Sequence, residues 1–494
     1  MTNIRTRNFA RLVVAALLVC SAAWADPPAR VGRLNLIQGS VSFMAGDTDE
    51  WITAAVNYPL TAGDCLWTDA SSQAEAHVGS TAIRIDAGTE FGFLELDDAQ
   101  VRIRLQRGLL NVRLRELESG ESFTVDTPAM SVSLLAPGSY RVELADSGDA
   151  RASVSEGEIV AVVAGLAYPV HAGQTASVAR SDALSIRIGK APAQDAWDLW
   201  CAERDRREDR LASVQYVPRS MIGCEDLDWY GNWSVTVEFG PVWTPSRLPA
   251  GWAPYRHGHW AWVRPWGWTW IDDMPWGFAP FHYGRWALVR GAWVWVPGSK
   301  VHRPVYAPAL VAFVEAAANG SIGWFPLGPR EPYIPAYPAS RGYLKEVNVT
   351  HVQIGDRETI DTSRIRYAHR EAGQVYTQAP RQSFSQVPHA GDSRVQAAAS
   401  QRETRPASSG SLLGAITQLA REWSSGHGRE PKARRNSKPV VQQGRESRAE
   451  RGREAIVQKG REPKAQQKWQ KIRKKKTLAN GQVVWVEELA PVEE

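Results

Sequence analysis

The stretch that decides the fold is residues 251–270, GWAPYRHGHWAWVRPWGWTW, near the middle of a chain of 494 residues. Gly and Pro punctuate it, and Trp alternates with other residues, which is the pattern of a β-strand with one aromatic face. The motif x-Gly-x-Trp recurs at Gly231, Gly258 and Gly284, with spacings of 27 and 26 residues. Such a period fits one antiparallel β-hairpin per repeat. We therefore predict a Trp-repeat hairpin domain over residues 226–348.

Two interpretations of the Trp residues compete, because 13 of the 22 lie between Trp229 and Trp295. As a binding surface, aromatic strand faces interleaved with Arg would stack on sugar rings or hold anionic glycans. The residues predicted to bind are Trp266, Trp268, Trp270, Arg256, Arg264 and Arg285. As a core, the same indoles supply the apolar area that a small hairpin domain needs. We favour the core for most of them and leave an exposed minority for a ligand.

A second β pattern occupies residues 31–178. Apolar and polar residues alternate in short runs, as in residues 101–105 and 140–144, and turn residues recur about every ten positions. This spacing predicts an all-β sandwich or β-roll. Residues 191–213 show a helical pattern with charges of alternating sign, and we predict a charged connector helix there.

The N-terminal β region resembles the FecR-like periplasmic domain of bacteria over residues 58–178. The matching segments are residues 60–64 (LTAGD), 74–78 (AEAHV), 105–108, 123–125 and 154–157. The resemblance implies an all-β domain outside the cytoplasm. Residues 135–140 depart from the family pattern, and only 11 residues precede the first apolar run. The sigma-factor signalling of the family's namesake is therefore not carried over.

The Trp-rich region resembles a domain of unknown function that follows FecR-like domains in exported proteobacterial proteins. The residues that carry this resemblance are 227–233, 255–260, 268–270, 275–286, 305–311 and 323–327. It implies the identity of the domain and no particular activity.

The amino terminus has the features of an export signal, predicted over residues 1–25. Arg5, Arg7 and Arg11 precede an apolar run at residues 12–23, and residues 23–25 form an A-x-A cleavage site. We expect a periplasmic or secreted protein after cleavage. Three Cys residues then remain in an oxidising compartment, and we predict a disulfide between Cys201 and Cys224.

The C-terminal part carries the positive charge. Residues 380–476 contain 23 Lys and Arg against 8 Asp and Glu, whereas the whole chain has a net charge of only +5. We predict a disordered basic tail over residues 376–476 and a short acidic strand segment over residues 478–494, able to pair with an exposed sheet edge. The expected partners are peptidoglycan or lipopolysaccharide and an anionic membrane surface, and not nucleic acid.

Catalytic motifs are scarce, since the sequence has no GxSxG, HExxH, GxGxxG or Walker A motif. A metal or acid–base cluster would need His257, His259 and His282 to meet Asp272 and Asp273. A glycosidase pair would need two of the carboxylates of Glu238, Asp272 and Glu315 to face each other. We predict no enzyme, no cofactor and no metal.

The fold class predicted is mainly β, with a FecR-like β-sandwich or β-roll, a connector helix, a Trp-repeat hairpin domain and a basic tail. The leading hypothesis is a non-catalytic exported envelope scaffold or binding protein. The alternatives are a periplasmic sensing module and a cell-wall glycan hydrolase.

Overall fold

The structure is a computed structural model. It describes residues 26–180, 185–316, 321–355, 360, 365–371, 377–380, 384, 395–396, 398–399, 469–477 and 483–491. The mainly β class predicted from the sequence is confirmed. The chain divides into two compact units, one of residues 1–164 and 168–420 and one of residues 165–167 and 421–494. The predicted signal peptide and most of the predicted basic tail lie outside the described residues.

The first element group, which we call the N-terminal β domain, contains 17 strands in the described residues between 32 and 190. They are β1 (Gly32–Gln38), β2 (Val41–Met44), β3 (Ile52–Thr53), β4 (Pro59–Leu60), β5 (Cys65–Thr68), β6 (Gln73–Val78), β7 (Thr81–Ile85), β8 (Glu90–Leu96), β9 (Gln100–Leu114), β10 (Ser122–Asp126), β11 (Ser131–Leu134), β12 (Gly138–Leu144), β13 (Ala150–Glu156), β14 (Glu158–Val163), β15 (Leu166–His171), β16 (Gln174–Ala179) and β17 (Ser185–Lys190).

The long strand β9 joins two layers of this domain. Its first half pairs antiparallel with β8 and parallel with β10, and its second half pairs antiparallel with β7 and β12. Val101, Ile103 and Leu105 are buried while their charged neighbours are exposed, as the alternating sequence predicts. The inward residues of both layers form one hydrophobic core.

The connector is helical, as its pattern indicates. Helix α1 (Ala196–Asp209) begins at Asp195, whose side chain accepts a hydrogen bond from the backbone N–H of Asp198 in a capping box. Trp197 and Cys201 pack against Leu109 of β9. A 3₁₀ turn (Ala212–Gln215) and helix α2 (Cys224–Tyr230) follow. None of the helices in the described part of the chain is long and apolar enough to cross a bilayer.

The Trp-rich domain, which we define as the elements from α2 to residue 399, is built on four antiparallel hairpins. Their strands are β18 (Gly231–Thr236) with β19 (Gly240–Pro245), β20 (Gly258–Val263) with β21 (Gly267–Asp272), β22 (Arg285–Val289) with β23 (Ala292–Val296), and β24 (Val311–Ala316) with β25 (Ser321–Pro326). The remaining elements are α3 (Ala279–His282), α4 (Arg341–Asn348), α5 (Ala368–Glu371), β26 (Thr377–Pro380), β27 (Val395–Gln396) and β28 (Ala398–Ala399).

One cross-strand aromatic pair recurs in each hairpin. The pairs are Trp233 with Trp243, Trp260 with Trp270, Trp286 with Trp295, and Phe313 with Trp324. In the first three hairpins the Gly of x-Gly-x-Trp lies under the indole of the second strand. A Cβ there would lie 2.4 Å from Trp243 at Gly231, 2.6 Å from Trp270 at Gly258 and 2.5 Å from Trp295 at Gly284. The fourth hairpin has Val311 at the Gly position, and its repeat is therefore not visible in the sequence.

The C-terminal segment forms its own hairpin. Strand β29 (Trp469–Thr477) pairs antiparallel with β30 (Val483–Pro491). Among the described residues, the partner of β30 is β29, which lies in the last part of the predicted basic tail. The dipeptide Asn480-Gly481, which is common in hairpin turns, lies between the two strands in the sequence.

We predict that Gly258→Ala destabilises the Trp-rich domain by about 1–3 kcal/mol, because the added methyl group overlaps both Trp270 and the carbonyl oxygen of Ile271. The measurement is urea unfolding followed by Trp fluorescence. Gly189→Ala is the matched control, since Gly189 also lies in a strand but has open space at its Cβ position. Equal midpoints for the two variants would contradict the account of the repeat.

Candidate functional site

The indoles of the repeats serve mainly as core. Of the 13 Trp residues between Trp229 and Trp295, eight are buried, four are half-buried and only Trp229 is exposed. The first and third hairpins share a sheet through the pair Trp243 with Trp295. A row of four indoles, Trp233, Trp243, Trp295 and Trp286, therefore crosses that sheet on its inner side.

The three Trp residues predicted to form a binding row do not form an open one. Trp266 precedes β21 and is buried, with its ring centroid 5.1 Å from that of Tyr306. Trp270 is fully buried, and its indole N–H donates to Asp272 Oδ2 at 3.0 Å. Trp268 alone keeps part of its surface. Of the three Trp residues, Trp268 is therefore the one that a ligand can reach.

The three predicted Arg residues lie at separate places with separate partners. Arg285 is fully buried and donates to the Glu331 carbonyl oxygen at 3.0 Å and to Asn348 Oδ1 at 3.1 Å. Burial lowers its pKa to about 10. Arg256 is half-buried and donates to the Gly251 carbonyl oxygen at 2.8 Å, whereas the exposed Arg264 pairs with Asp47 at 3.2 Å. Arg285 therefore braces the core and cannot face a ligand.

The three imidazoles and two carboxylates considered for a metal or acid–base site do not converge on a single cluster. His282 is buried with Nδ1 2.8 Å from the Ala307 carbonyl oxygen, and burial lowers its pKa to about 3. Asp272 accepts from Trp270 and from the Met274 backbone N–H, which is the geometry of a turn. His259 lies 3.9 Å from the exposed Asp273.

The predicted disulfide is wrong, because Cys201 and Cys224 are both free thiols. Cys201 lies on α1 against Leu109 and Trp197, whereas Cys224 begins α2 inside the Trp-rich core. Their helices place them in different hydrophobic clusters. Burial raises the pKa of both thiols, which keeps them protonated and unreactive.

A cluster that the sequence analysis missed lies between the N-terminal β domain, α1 and α2. We call it the buried ionic junction. Its members are charged side chains from five parts of the chain that are mostly removed from solvent: Arg33, Glu75, His77, Arg84, Arg115, Arg204, Asp205, Glu208, Glu225 and Asp226. Strand β6 explains its position, since Ala74, Ala76 and Val78 face the core and leave Glu75 and His77 on the other face, under α1.

Glu75 receives hydrogen bonds from three sides. Arg84 Nε donates to its Oε2 at 2.6 Å, and Arg204 donates to both oxygens at 2.5 and 2.6 Å. Asn35 Nδ2 adds a fourth donor at 2.8 Å. Burial alone would raise the pKa of Glu75, but these donors and His77 lower it well below its usual value.

His77 lies among three carboxylates. Its Nε2 is 3.2 Å from Glu75 and 3.7 Å from Glu208, and its Nδ1 is 3.0 Å from Glu225. Burial alone would lower the pKa of His77, but Glu225 and Glu208 outweigh it and raise the pKa to about 10. The same attraction, together with Arg33, holds the pKa of Glu225 at about 2 although burial acts in the opposite direction.

Arg33 carries the junction into the Trp-rich domain. Its guanidinium pairs with Glu225 at 2.9 Å and with Asp226 at 2.6 Å, and donates to the Pro275 carbonyl oxygen at 2.9 Å. It also donates to Asn57 Oδ1, and Asn57 Nδ2 donates to the carbonyl oxygens of Asp272 and Met274 at 3.0 and 2.7 Å. The two domains are thus joined by buried polar contacts.

Burial raises the pKa of Asp226, to about 6, and that of Glu208. With all five carboxylates ionised at neutral pH, the charges of the junction balance when His77 is an imidazolium. Four Arg residues and His77 then face five carboxylates, while the half-exposed Asp209 adds a contact to Arg115 from the rim. Ligand atoms of Glu75, His77 and Glu208 lie within 4.8 Å of one another, a spacing that can hold a metal ion. Arg84 and Arg204 already occupy these carboxylates, and a protonated imidazole has no free lone pair. The arrangement therefore favours a proton over a metal ion.

We predict that His77→Gln destabilises the folded chain by about 3–5 kcal/mol, because it leaves five buried carboxylates for four Arg residues. His171→Gln is the matched control, since His171 is exposed and its ion pair with the partly exposed Glu158, at 3.5 Å, contributes little to stability. The measurement is urea unfolding at pH 7 of both variants. A loss in His77→Gln no larger than in His171→Gln would contradict the imidazolium assignment.

The pH dependence has a definite sign. The pKa of His77 is about 10 in the folded chain, compared with an ordinary value of 6.5. Its contribution to the free energy of unfolding is therefore complete below pH 6.5 and is lost as the pH rises through 10. We expect the difference in unfolding free energy between wild type and His77→Gln to shrink from pH 6.5 to pH 10. A difference that stays constant over this window would contradict the assignment.

The thiols give another prediction. Denatured mature protein, handled without reductant, should react with three equivalents of maleimide, at Cys65, Cys201 and Cys224. Intact mass spectrometry measures the number of additions. One addition only would show that Cys201 and Cys224 are bridged after all.

Comparison with solved structures finds partial likeness only. Two crystal structures of a candidate anti-sigma factor from Parabacteroides distasonis ATCC 8503 are similar to this chain. One is 16% identical with a TM-score of 0.24 and covers 26% of this chain and 61% of that chain. The other is 15% identical with a TM-score of 0.25 and covers 28% and 64%. This chain thus spans less than two thirds of those chains.

Comparison with sequence families matches part of the chain, whereas no curated protein matches it. The match lies within the Trp-rich domain, whose hairpins and α2 helix it covers from residue 224 through the fourth hairpin. Residues 224–331 match the family of unknown function DUF6600.

Proposed function

We propose that this chain is a non-catalytic exported protein of the cell envelope, in which a FecR-like domain and a Trp-rich domain form one body that carries a basic polymer-binding tail. The proposal rests on the observation that the Trp and charged side chains of the two domains mostly contact other parts of the chain. Eight of the 13 Trp residues of the repeats are buried, and the charged groups of the junction pair with one another.

A scaffold role is supported by the joined body. The Arg33 guanidinium and the Asn57 amide both reach from the N-terminal β domain to backbone carbonyl oxygens of the Trp-rich domain. Arg30 and Arg303 meet on Glu121 at 3.0 and 2.5 Å, which adds a second contact between the domains. A body with several such contacts holds its attached segments at defined positions.

A hydrolase role has weaker support from the described residues. Asp272 has both carboxylate oxygens in hydrogen bonds to its own turn, and it is fully buried. Glu238 is exposed at the tip of the first hairpin. General acid–base chemistry needs two such groups on either side of a substrate bond, about 5–10 Å apart.

Binding is assigned mainly to the tail, whose residues 380–476 carry 23 basic and 8 acidic side chains. Anionic polymers and lipid surfaces attract such a segment by roughly 1 kcal/mol per basic residue in contact, and salt weakens this attraction. Trp268 and its half-buried partner Trp262, 5.6 Å apart between ring centroids, offer a smaller aromatic contact for a sugar. We expect the tail to dominate.

We predict salt-sensitive retention of the full chain on isolated peptidoglycan or lipopolysaccharide. Changing Lys432, Arg434, Arg435 and Lys438 to Gln should weaken retention about tenfold or more at low salt. Changing Glu446, Glu450, Glu454 and Glu462 to Gln is the matched control, because it alters the same number of charges in the opposite direction and should strengthen retention. Co-sedimentation at low and high salt measures both effects.

Two outcomes would contradict the proposal. Retention that neither variant changes would remove the tail from the binding role. Zymographic clearing of cell walls that disappears in Asp272→Asn would show catalysis.

A further inference from the structure

The residues that follow the predicted cleavage site belong structurally to the Trp-rich domain, although they precede it by some 200 positions. We call residues 26–31 the N-terminal strap. Both carboxylate oxygens of Asp26 accept hydrogen bonds from Ser340, one from its backbone N–H and one from its hydroxyl at 2.6 Å. Ser340 is the N-cap of α4, and its hydroxyl oxygen also accepts from the Tyr343 N–H at 3.1 Å.

The middle of the strap contacts both domains. The carbonyl oxygen of Ala29 accepts from the Tyr306 N–H at 2.9 Å, in the Trp-rich domain. The N–H of Ala29 donates to Asp98 at 3.1 Å, in the N-terminal β domain. Arg30 donates to the Asp97 carbonyl oxygen at 2.8 Å and to Glu121 at 3.0 Å.

Two apolar residues of the strap, Pro27 and Val31, are buried. Val31 is 0% exposed and lies in the hydrophobic cluster of the Trp-rich domain, not in that of the N-terminal β domain. Pro27 is also buried, while Asp26 is exposed. The strap therefore fills part of the Trp-rich core and ends at the surface, on the cap of α4.

We propose that peptide-bond hydrolysis between Ala25 and Asp26 by a signal peptidase sets the first residue of the strap, and that the strap then closes the Trp-rich domain onto the N-terminal β domain. Water supplies the hydroxyl and the proton, leaving a carboxylate on Ala25 and an amine on Asp26. The proposal rests on the proposed export of the chain.

The cleavage position predicted from the A-x-A pattern is compatible with the contacts of the strap. A cut two bonds earlier, after Ala23, would leave Trp24 and Ala25 ahead of Asp26. A cut one bond later would remove the carboxylate that holds Ser340. Ala23 and Ala25 are the small residues that signal peptidases accept at this spacing. The cut after Ala25 makes Asp26, which holds the cap of α4, the first residue of the strap.

The first experiment identifies the mature N-terminus. The full chain is expressed in an exporting bacterial host, and the periplasmic protein is analysed by intact mass and N-terminal peptide sequencing. We expect Asp26 as the first residue. Processing at another bond would overturn the cleavage site while leaving export intact, whereas unprocessed protein confined to the cytoplasm would contradict the proposed export itself.

The second experiment tests the strap in the mature chain. Removal of residues 26–30 should lower the melting temperature by more than about 5 °C, and Asp26→Ala by about 2 °C. Asp49→Ala is the matched control, because Asp49 is an exposed loop carboxylate, and should leave the melting temperature unchanged. Hydrogen exchange in α4 should accelerate in both strap variants.

A strap without a structural role predicts the opposite readouts. Melting temperatures within error of the control and unchanged exchange in α4 would overturn the closure. Faster exchange in α4 of the Asp26→Ala variant, with β6 unaffected, is the expected local signature of the Ser340 contact.

Discussion

The two-domain body depends on the attraction between the His77 imidazolium and the three carboxylates around it. The imidazolium touches Glu75 in its own strand, Glu208 on α1 and Glu225 on α2, and so links three elements that are distant in sequence. Removing ions from water is costly, and only full pairing offsets that cost. Arg33 and Arg84 complete the pairing, each buried and each bonded to two or more carboxylates.

The Trp-rich domain is stabilised mainly by buried aromatic side chains and not by ion pairs. Each hairpin places one indole of its second strand where it covers the first strand, and in three of the four hairpins a Gly makes room for it. Several of these indoles also satisfy backbone groups between elements. Trp243 donates to the Leu227 carbonyl oxygen, Trp295 to that of Tyr283 and Trp324 to that of Tyr255, each at 2.9 Å. The domain thus obtains both apolar burial and hydrogen bonds from one residue type.

Local patterns in the sequence predict local structure well. The alternation around Ile103 appears as a strand, the Gly258 motif as a hairpin, and the helical pattern of residues 191–213 as helix α1. The ionic junction was not predictable in this way, because Arg33 and Glu225 are 192 positions apart. Glu203 and Arg207 of α1 form an i,i+4 pair on the exposed side. The alternating charges of the sequence do not reveal that Arg204 and Glu208 face inward.

The aromatic row shows the second limit of sequence reasoning. The two-residue periodicity of a strand correctly assigns Trp268 and Trp270 to one face, but it does not show which face is exposed to solvent. Burial depends on what packs above the strand, here Trp324 and Phe384, which are far along the chain. The disulfide prediction is wrong for a related reason, since sequence spacing alone does not show that Cys201 and Cys224 belong to different hydrophobic clusters.

The central claim is that the junction makes the two domains one cooperative body, and hydrogen exchange with mass spectrometry tests it most directly. The variant Glu225→Gln removes one carboxylate from both His77 and Arg33. The account predicts faster exchange in residues 73–85 of the N-terminal β domain and in residues 258–272 of the Trp-rich domain, by similar factors. Acceleration on one side of the junction with unchanged exchange on the other would contradict it.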